Sequence, residues 1–144
     1  MGVRGGHSFE YPAPSPRPAV CGAVFGRGLE GALNHETRKH TAESVIRYAR
    51  LPYGARDKTG RVDRLDPCRP SKTVIAGGAK GGGRSHLHPF PRTISVRECA
   101  RLQTFPDSHT FAGATARQFT QVGNAVPPVL AQKIAMQIRI GHGQ

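Results

Sequence analysis

The chain has 144 residues, of which 37% are hydrophobic, and it contains no tryptophan, 18 glycines and 12 prolines. Its length suits one domain, whereas its glycine and proline content requires many loops and turns. Twenty-one basic residues against nine acidic ones give a net charge of +12. This excess favours nucleic acid as the partner, and a merely soluble basic surface is the alternative.

The three cysteines are odd in number, and no two of them have the CxxC spacing. This pattern disfavours a disulfide framework and a zinc knuckle, and it favours the reduced thiols of a cytoplasmic protein. No apolar run approaches the roughly 20 residues that cross a bilayer. The first 20 residues also lack the apolar core of a signal peptide. We therefore expect a cytoplasmic protein with no membrane partner.

The first two thirds of the chain contain few regular elements. Residues 1–20 are rich in proline and predict an extended leading segment. Thr41 is a suitable N-cap for a helix over 42–50. The β-branched run at 72–76 predicts a strand, and residues 77–83 predict a glycine-rich loop. Residues 50–92 carry ten basic residues against three acidic ones, a balance of +7.

The last third predicts helices. Ser95 and Glu98 have the spacing of a capping box, which starts a helix that we expect to reach about Thr104. A second short helix is expected over 116–121. Pro127 suits the first position of a third helix.

An amphipathic stripe marks this third helix. Leu130, Ile134 and Ile138 follow one another at intervals of four residues, which places them on one helix face. Ordinary core packing is the simplest interpretation of the stripe.

Three patterns imitate ligand-binding motifs without matching them. His35 and His40 are five residues apart, whereas the zinc-binding helical motif needs four. Residues 77–85 are glycine-rich but match neither common phosphate-binding signature. His86 and His88 have no cysteine nearby, and we interpret them as loop or DNA-contact histidines. We therefore predict no metal site.

Two segments near the C-terminus carry a specific resemblance. Residues 88–107 read HPFPRTISVRECARLQTFPD, and residues 121–131 read QVGNAVPPVLA. In this order and spacing they resemble the ninth and tenth conserved blocks of the DNA cytosine-5 methyltransferases. Shorter upstream segments resemble the variable target-recognition region of that family more weakly, at 34–40, 61–65 and 70–74.

The resemblance implies a methyl transfer from S-adenosylmethionine to C5 of cytosine in double-stranded DNA. In this family a cysteine thiolate attacks a cytosine that has been swung out of the duplex, and a glutamate assists. The chain contains no Phe-x-Gly-x-Gly cofactor loop and no Glu-Asn-Val segment. We therefore assign no catalytic residue and expect the isolated chain to be inactive.

Several site residues follow from the resemblance by position. Asn124, Ala125 and Val126 are expected to close part of the S-adenosylmethionine pocket. Arg97 is expected to be structural, together with Glu98. The expected phosphate or base contacts on DNA are Arg61, Arg64, Arg69, Lys72, Lys80 and Arg84.

The fold expected from this resemblance is an α/β fragment. A small mixed recognition domain of irregular strands precedes helices that complete a missing Rossmann-like methyltransferase domain. We divide the chain into a leading segment at 1–30, a target-recognition region at 31–92 and the two conserved blocks at 93–144.

Three functions remain open. The first is the C-terminal portion of a methyltransferase, completed by a chain or segment that carries the N-terminal catalytic blocks. The second is a truncated, non-catalytic DNA-binding remnant. A generic basic nucleic-acid-binding protein would fit the charge but leaves the two ordered blocks unexplained.

Pro67-Cys68 imitates the nucleophile of the family, which lies in a Pro-Cys segment. Here the pair falls inside the recognition region, about twenty residues before the ninth block. We therefore predict that Cys68 is a loop cysteine and not the catalytic nucleophile.

Overall fold

The computed structural model describes residues 10–26, 28–76 and 86–141. They form a mixed α/β fold of short strands and four α-helices, preceded by a 3₁₀ turn at Cys21–Val24. In chain order the elements are α1 (Ala42–Arg50), β1 (Arg56–Asp57), β2 (Val62–Arg64), β3 (His86–Leu87), α2 (Val96–Leu102), α3 (Thr115–Asn124) and α4 (Pro128–Gly141).

Helix α1 forms where the sequence predicts it. The Thr41 side chain accepts a hydrogen bond from the Ser44 backbone N–H at 3.3 Å, which satisfies one of the free donors of the first turn. At the other end, the guanidinium of Arg64 donates to the carbonyls of Tyr48 and Ala49, both at 3.1 Å. The cap therefore comes partly from a residue in β2, which fixes the helix against the sheet.

The sheet has three strands in the order β1-β2-β3. Strands β1 and β2 are antiparallel with Arg56 opposite Asp63, and β2 and β3 are parallel with Asp63 opposite His86. The central residue Asp63 thus lies between the other two strands. Its carboxylate forms ion pairs with Arg56 and with Lys72.

The strand predicted at 72–76 is wrong, because residues 71–76 carry no regular structure. The two branched aliphatic residues of this segment lie in different environments. Val74 is 9% exposed and belongs to the main core, whereas Ile75 is exposed. The glycine-rich loop predicted at 77–83 lies outside the described residues.

The C-terminal helices follow the sequence prediction closely. The capping box is confirmed, since Ser95 Oγ accepts from the Glu98 N–H and Glu98 accepts from the Ser95 N–H. Helix α2 ends at Leu102, two residues before the predicted end, because Thr104 takes a positive φ of 64°. Helix α3 is longer than predicted, and α4 starts one residue after Pro127.

The main core lies between α2, α3 and the segments that pass beneath them. Its buried members are Cys21, Leu65, Val74, Ile94, Val96, Cys99, Ala100, Phe111, Phe119 and Val122. A smaller cluster joins α1 to the sheet through Tyr48, Val62 and Leu87. The main core therefore holds α2 and α3 together, and the smaller cluster holds α1 against the sheet.

Helix α4 contributes no buried residue to this core. Of the predicted stripe, Leu130 is 46% exposed, and Ile134 and Ile138 are only half-buried. Ordinary core packing within the described residues therefore does not account for the predicted stripe. No helix in the described ranges has the length and apolarity needed to cross a membrane.

Gly123, near the end of α3, permits a close approach of two backbones. A Cβ atom at this position would lie 2.6 Å from the Ala76 Cα and 2.6 Å from the Ile75 carbonyl carbon. These neighbours are backbone atoms, so they cannot move aside cheaply. The glycine in the Gln-Val-Gly-Asn sequence therefore lets the chain leaving Val74 cross α3.

We expect Gly123→Ala to destabilise the fold by about 1–3 kcal/mol because the new methyl group overpacks this crossing. Alanine normally stabilises a helix relative to glycine, so the sign itself is diagnostic. Urea unfolding monitored by circular dichroism measures the effect. The exposed α3 residue Arg117 provides the control, and a Gly123→Ala variant as stable as Arg117→Ala would contradict the crossing.

Candidate nucleic-acid and cofactor interface

Glu98 is a fully buried carboxylate that accepts hydrogen bonds from one cationic side chain and one backbone N–H. Arg92 donates to its two oxygens at 2.6 and 2.8 Å, and the Ser95 N–H donates at 2.8 Å. Burial alone raises the pKa of Glu98, but these hydrogen bonds outweigh it and keep the pKa below its ordinary value. The carboxylate therefore stays charged and fixes the segment before α2.

Arg97 is equally buried, with no exposed surface. Its guanidinium donates to the carbonyls of Leu33, Pro106 and His109 at 3.0, 3.2 and 2.6 Å. Its own N–H donates to the Asn34 carbonyl at 2.8 Å. One side chain thus joins the start of the recognition region to the loop that follows α2.

Asn34 occupies the left-handed region with φ of 63° and forms the other half of this junction. Its side chain accepts from the Phe111 N–H at 3.0 Å and donates to Gln118 Oε1 at 3.0 Å. Asparagine tolerates this backbone conformation better than most residues. The next residue, His35, hydrogen bonds Ser95 Oγ at 2.8 Å.

The histidines that imitate metal motifs have hydroxyl partners instead. His40 Nε2 lies 3.2 Å from Thr93 Oγ1 and accepts from the Thr93 N–H at 3.2 Å. No cluster of histidine, cysteine and carboxylate side chains that could hold a metal occurs in the ranges the structure describes.

The predicted DNA contacts fall into three structural situations. Arg61 and Arg69 are exposed, although Arg69 also lies 3.5 Å from Asp66. Arg64 is occupied by the carbonyls at the end of α1 and by the Pro89 carbonyl, and it covers the Tyr53 ring at 4.6 Å. Lys80 and Arg84 lie outside the described residues.

Lys72 lies against Asp63, whose carboxylate accepts from the lysine at 2.7 Å and from Arg56 at 3.4 Å. Together with Arg61 and His86 these side chains line an open cleft of about 400 Å³. Sequence reasoning missed Asp63 and treated His86 as a loop or DNA-contact histidine, because the strands that bring the two together are only two or three residues long.

The residues predicted to contact the cofactor form the turn between α3 and α4. Asn124 ends α3, Ala125 is its C-cap, and Val126 is 62% exposed. Two residues that follow α2, Gln103 and Thr104, hold this turn at its two ends. Gln103 Nε2 donates to the Val122 carbonyl at 3.3 Å, and Thr104 Oγ1 accepts from the Val129 N–H at 3.2 Å.

The cysteines differ sharply in exposure. Cys68 is exposed, whereas Cys21 and Cys99 are buried. The Cys21 thiol donates to the Asp66 carbonyl at 3.0 Å, and burial, together with the nearby Asp66 charge, raises its pKa. The cations that lie near Cys68 in sequence bind carboxylates: Arg69 pairs with Asp66 and Lys72 with Asp63.

Comparisons with known proteins agree on one family. The family model of the C-5 cytosine-specific DNA methylases matches residues 29–139. A presumed type II methyltransferase of Oceanobacillus iheyensis is 42% identical over 112 residues, which cover 72% of this chain and 24% of that protein. The type II methyltransferase M.AquIB of Picosynechococcus is 37% identical over 123 residues, covering 73% of this chain and 86% of that protein.

A solved structure has the same fold over most of the chain. It is a presumed DNA modification methyltransferase encoded within a prophage, from E. coli, with 34% identity and a TM-score of 0.65. The match covers 75% of this chain and 29% of that one. The chain therefore spans about a quarter of the length of the Oceanobacillus relative, whereas M.AquIB is a chain of comparable length.

His88 should make the fold sensitive to mild acid. Burial and the nearby Arg92 charge lower its pKa from 6.5 to about 4, although Glu98 opposes the shift. The neutral imidazole therefore stabilises the fold fully above pH 6.5, and this contribution is lost as the pH falls from 6.5 to about 4.

As the pH falls from 6.5 to about 4, the free energy of unfolding should decrease less in His88→Asn than in the wild type. The difference should be on the order of 3 kcal/mol. The asparagine carbonyl can still accept from the Phe90 N–H, which His88 Nδ1 accepts at 2.9 Å. Urea titrations at several pH values measure the difference. His86 also has a lowered pKa, so part of the acid sensitivity persists in the variant. Identical pH dependence in both proteins would contradict the assignment to His88.

Proposed function

This chain belongs to the C-5 cytosine-specific DNA methylase family, and on that premise we propose that it is the C-terminal portion of a DNA cytosine-5 methyltransferase. It supplies DNA target recognition and one wall of the S-adenosylmethionine pocket. The observation that carries the proposal is the junction around α2. There Arg97 ties the recognition region to the helical region, and Gln103 holds the turn at Asn124.

The turn at Asn124 to Val126 suits a cofactor wall. The Asn124 carboxamide offers a donor and an acceptor, and it has no hydrogen-bond partner among residues 10–26, 28–76 and 86–141. The exposed Val126 offers an apolar contact beside it. Bound S-adenosylmethionine supplies the methyl group, and these residues position it from one side. Gln103 and Thr104 keep the turn in place before the cofactor arrives.

Helix α4 suits a partner segment that carries the catalytic blocks. Its apolar residues remain at the surface, with Val129 45% exposed and Met136 51% exposed. Patches of this kind commonly mark interaction sites. We assign them to a missing Rossmann-like domain, supplied by another chain or by another segment. The comparable length of M.AquIB supports the separate chain.

A truncated, non-catalytic DNA-binding remnant is the second candidate. The charge of residues 50–92 favours it, since +7 over this stretch suffices for DNA binding without any cofactor. Adding a fragment that bears the catalytic blocks distinguishes the two candidates, because only the first should then transfer a methyl group.

We expect the chain alone to transfer no methyl group and to do so when mixed with a fragment bearing the N-terminal blocks of a close relative. The reason is that the cofactor loop and the catalytic segments must come from that fragment. Incorporation of labelled methyl from S-adenosylmethionine into duplex DNA measures the activity. Transfer by the chain alone, or none with the mixture, would refute the proposed division.

Cys68→Ser provides the matched control in the same assay. If Cys68 is a loop cysteine, the enzyme reconstituted with the Cys68→Ser chain should have full activity, and its catalytic fragment should still be trapped covalently on DNA containing 5-fluorocytosine. A trapped adduct that disappears with Cys68→Ser, while DNA binding persists, would make Cys68 the nucleophile.

Measurements of DNA affinity and stability should show that Arg69 and Arg64 have different roles. Each neutralised phosphate contributes roughly −0.9 to the log–log dependence of affinity on salt. We expect Arg69→Ala to make the slope shallower by about 0.9, because 81% of the Arg69 side chain is exposed. Arg64→Ala should instead lower stability, since it removes the guanidinium that donates to the last carbonyls of α1.

Fluorescence anisotropy with a labelled duplex at several salt concentrations measures the slopes. Lys133→Ala, an exposed charge on α4, removes one positive charge outside the recognition region and should leave the slope unchanged. An equal change for Lys133→Ala and Arg69→Ala would reduce the effect to net charge.

A further inference from the structure

The cleft between the β1–β2 hairpin and the segment after Lys72 contains a buried nitrogen without a partner. His86 is 2% exposed, and its Nδ1 is unpartnered in the part of the chain that the structure describes. Most buried polar atoms are hydrogen bonded, and an unsatisfied one is costly. An unpartnered atom in the wall of a cleft therefore points to a ligand or to a bridging water.

The neighbouring carbonyl fixes the tautomer of His86. Its Nε2 lies 3.1 Å from the Lys72 carbonyl oxygen, which can only accept. Nε2 therefore carries the hydrogen, and Nδ1 of the neutral ring is an acceptor. Burial lowers the pKa of His86, although the Lys72 carbonyl opposes the shift, and this favours the neutral ring.

Arg61 provides the complementary donor. It lies at the tip of the hairpin in the left-handed region, with φ of 52°, and it is exposed. Its guanidinium has no hydrogen-bond or ion-pair partner within the described ranges. The other two cations of the cleft, Arg56 and Lys72, both bind Asp63. Arg61 is thus the cation of the cleft left to bind a ligand.

A donor and an acceptor in one cleft favour a base edge over a phosphate. A phosphodiester offers only acceptors, so it cannot satisfy the lone pair of Nδ1. A guanine–cytosine pair offers both types in the major groove, with acceptors at guanine N7 and O6 and a donor at the cytosine amine. Arginine to guanine is the commonest base-specific contact. The exposed Ile75 adds an apolar surface to the cleft.

We propose that this cleft reads one guanine–cytosine pair of the DNA target, with Arg61 donating to guanine and His86 Nδ1 accepting from cytosine, directly or through one water. The inference rests on the proposed role in target recognition and assigns specificity to two residues. Asp63 is a positioning residue, which holds Lys72 and Arg56 at the sides of the cleft.

The test is selection of bound duplexes from a library with a randomised central segment, using the full chain, followed by sequencing. We expect the wild type to enrich guanine–cytosine at one or more positions. At one of these positions Arg61→Lys should reduce the preference on the order of tenfold and leave the others intact. Lysine keeps the charge but loses the planar fork of donors, so it separates base reading from phosphate attraction.

Two further variants guard against misfolding. Arg61→Gly relieves the left-handed backbone and should fold at least as well as the wild type, yet lose the same preference. His86→Gln can keep the hydrogen bond to the Lys72 carbonyl while removing the acceptor at Nδ1. Lys58→Ala changes an exposed lysine in the same hairpin that does not line the cleft, and it should select the wild-type sequence.

Each other result overturns the inference. A wild type without enrichment shows that the chain reads no base. Unchanged preferences in the Arg61 and His86 variants place specificity elsewhere. A uniform loss of affinity with Arg61→Gly, but not with Arg61→Lys, assigns Arg61 to a phosphate. Methyl transfer by the reconstituted enzyme is measured separately, so failure here remains distinct from failure of the proposed function.

Discussion

The buried guanidinium of Arg97 is the interaction on which the rest of the structure depends. A charge removed from water is costly unless its hydrogen bonds are replaced. Carbonyls of residues 33, 106 and 109 replace them here; residue 33 is distant in sequence, whereas residues 106 and 109 lie in the loop after α2. Satisfying one cation therefore fixes two chain segments to α2. A misplaced carbonyl would leave a buried donor without a partner, so the arrangement is strongly specified.

Glu98 fixes the chain segment before α2, as Arg97 fixes the loop after it. It follows Arg97 directly on α2, but its carboxylate binds Arg92 and the cap of the helix. The segment before α2 also carries His88, which accepts from the Phe90 N–H. The two adjacent charges on α2 thus hold the segment before the helix and the loop after it.

The sequence predicted what is local and missed what depends on distant pairing. The caps at Thr41 and Ser95 depend on residues within one helical turn, and both predicted helices are present. The strands were missed because two- and three-residue strands have no periodicity to detect, and the predicted one at 72–76 buries Val74 without sheet partners. The resemblance identified the family, but the DNA contacts it suggested remain predictions. Arg64 illustrates the difficulty, since the same basic residue type can cap a helix or contact a phosphate.

The division between anchored and free surfaces follows from the same two charges on α2. The hairpin tip at Arg61 and the turn at Val126 are both exposed, whereas Arg97 and Glu98 between them are fully buried. Substitutions at the hairpin tip should therefore leave the contacts of Gln103 and Thr104 with the turn unchanged. Under the proposed function, recognition can then vary at low energetic cost on one side, while the proposed cofactor wall keeps its geometry on the other. The buried guanidinium of Arg97 and the buried Glu98 carboxylate lie between the two surfaces and hold the chain segments on either side of α2.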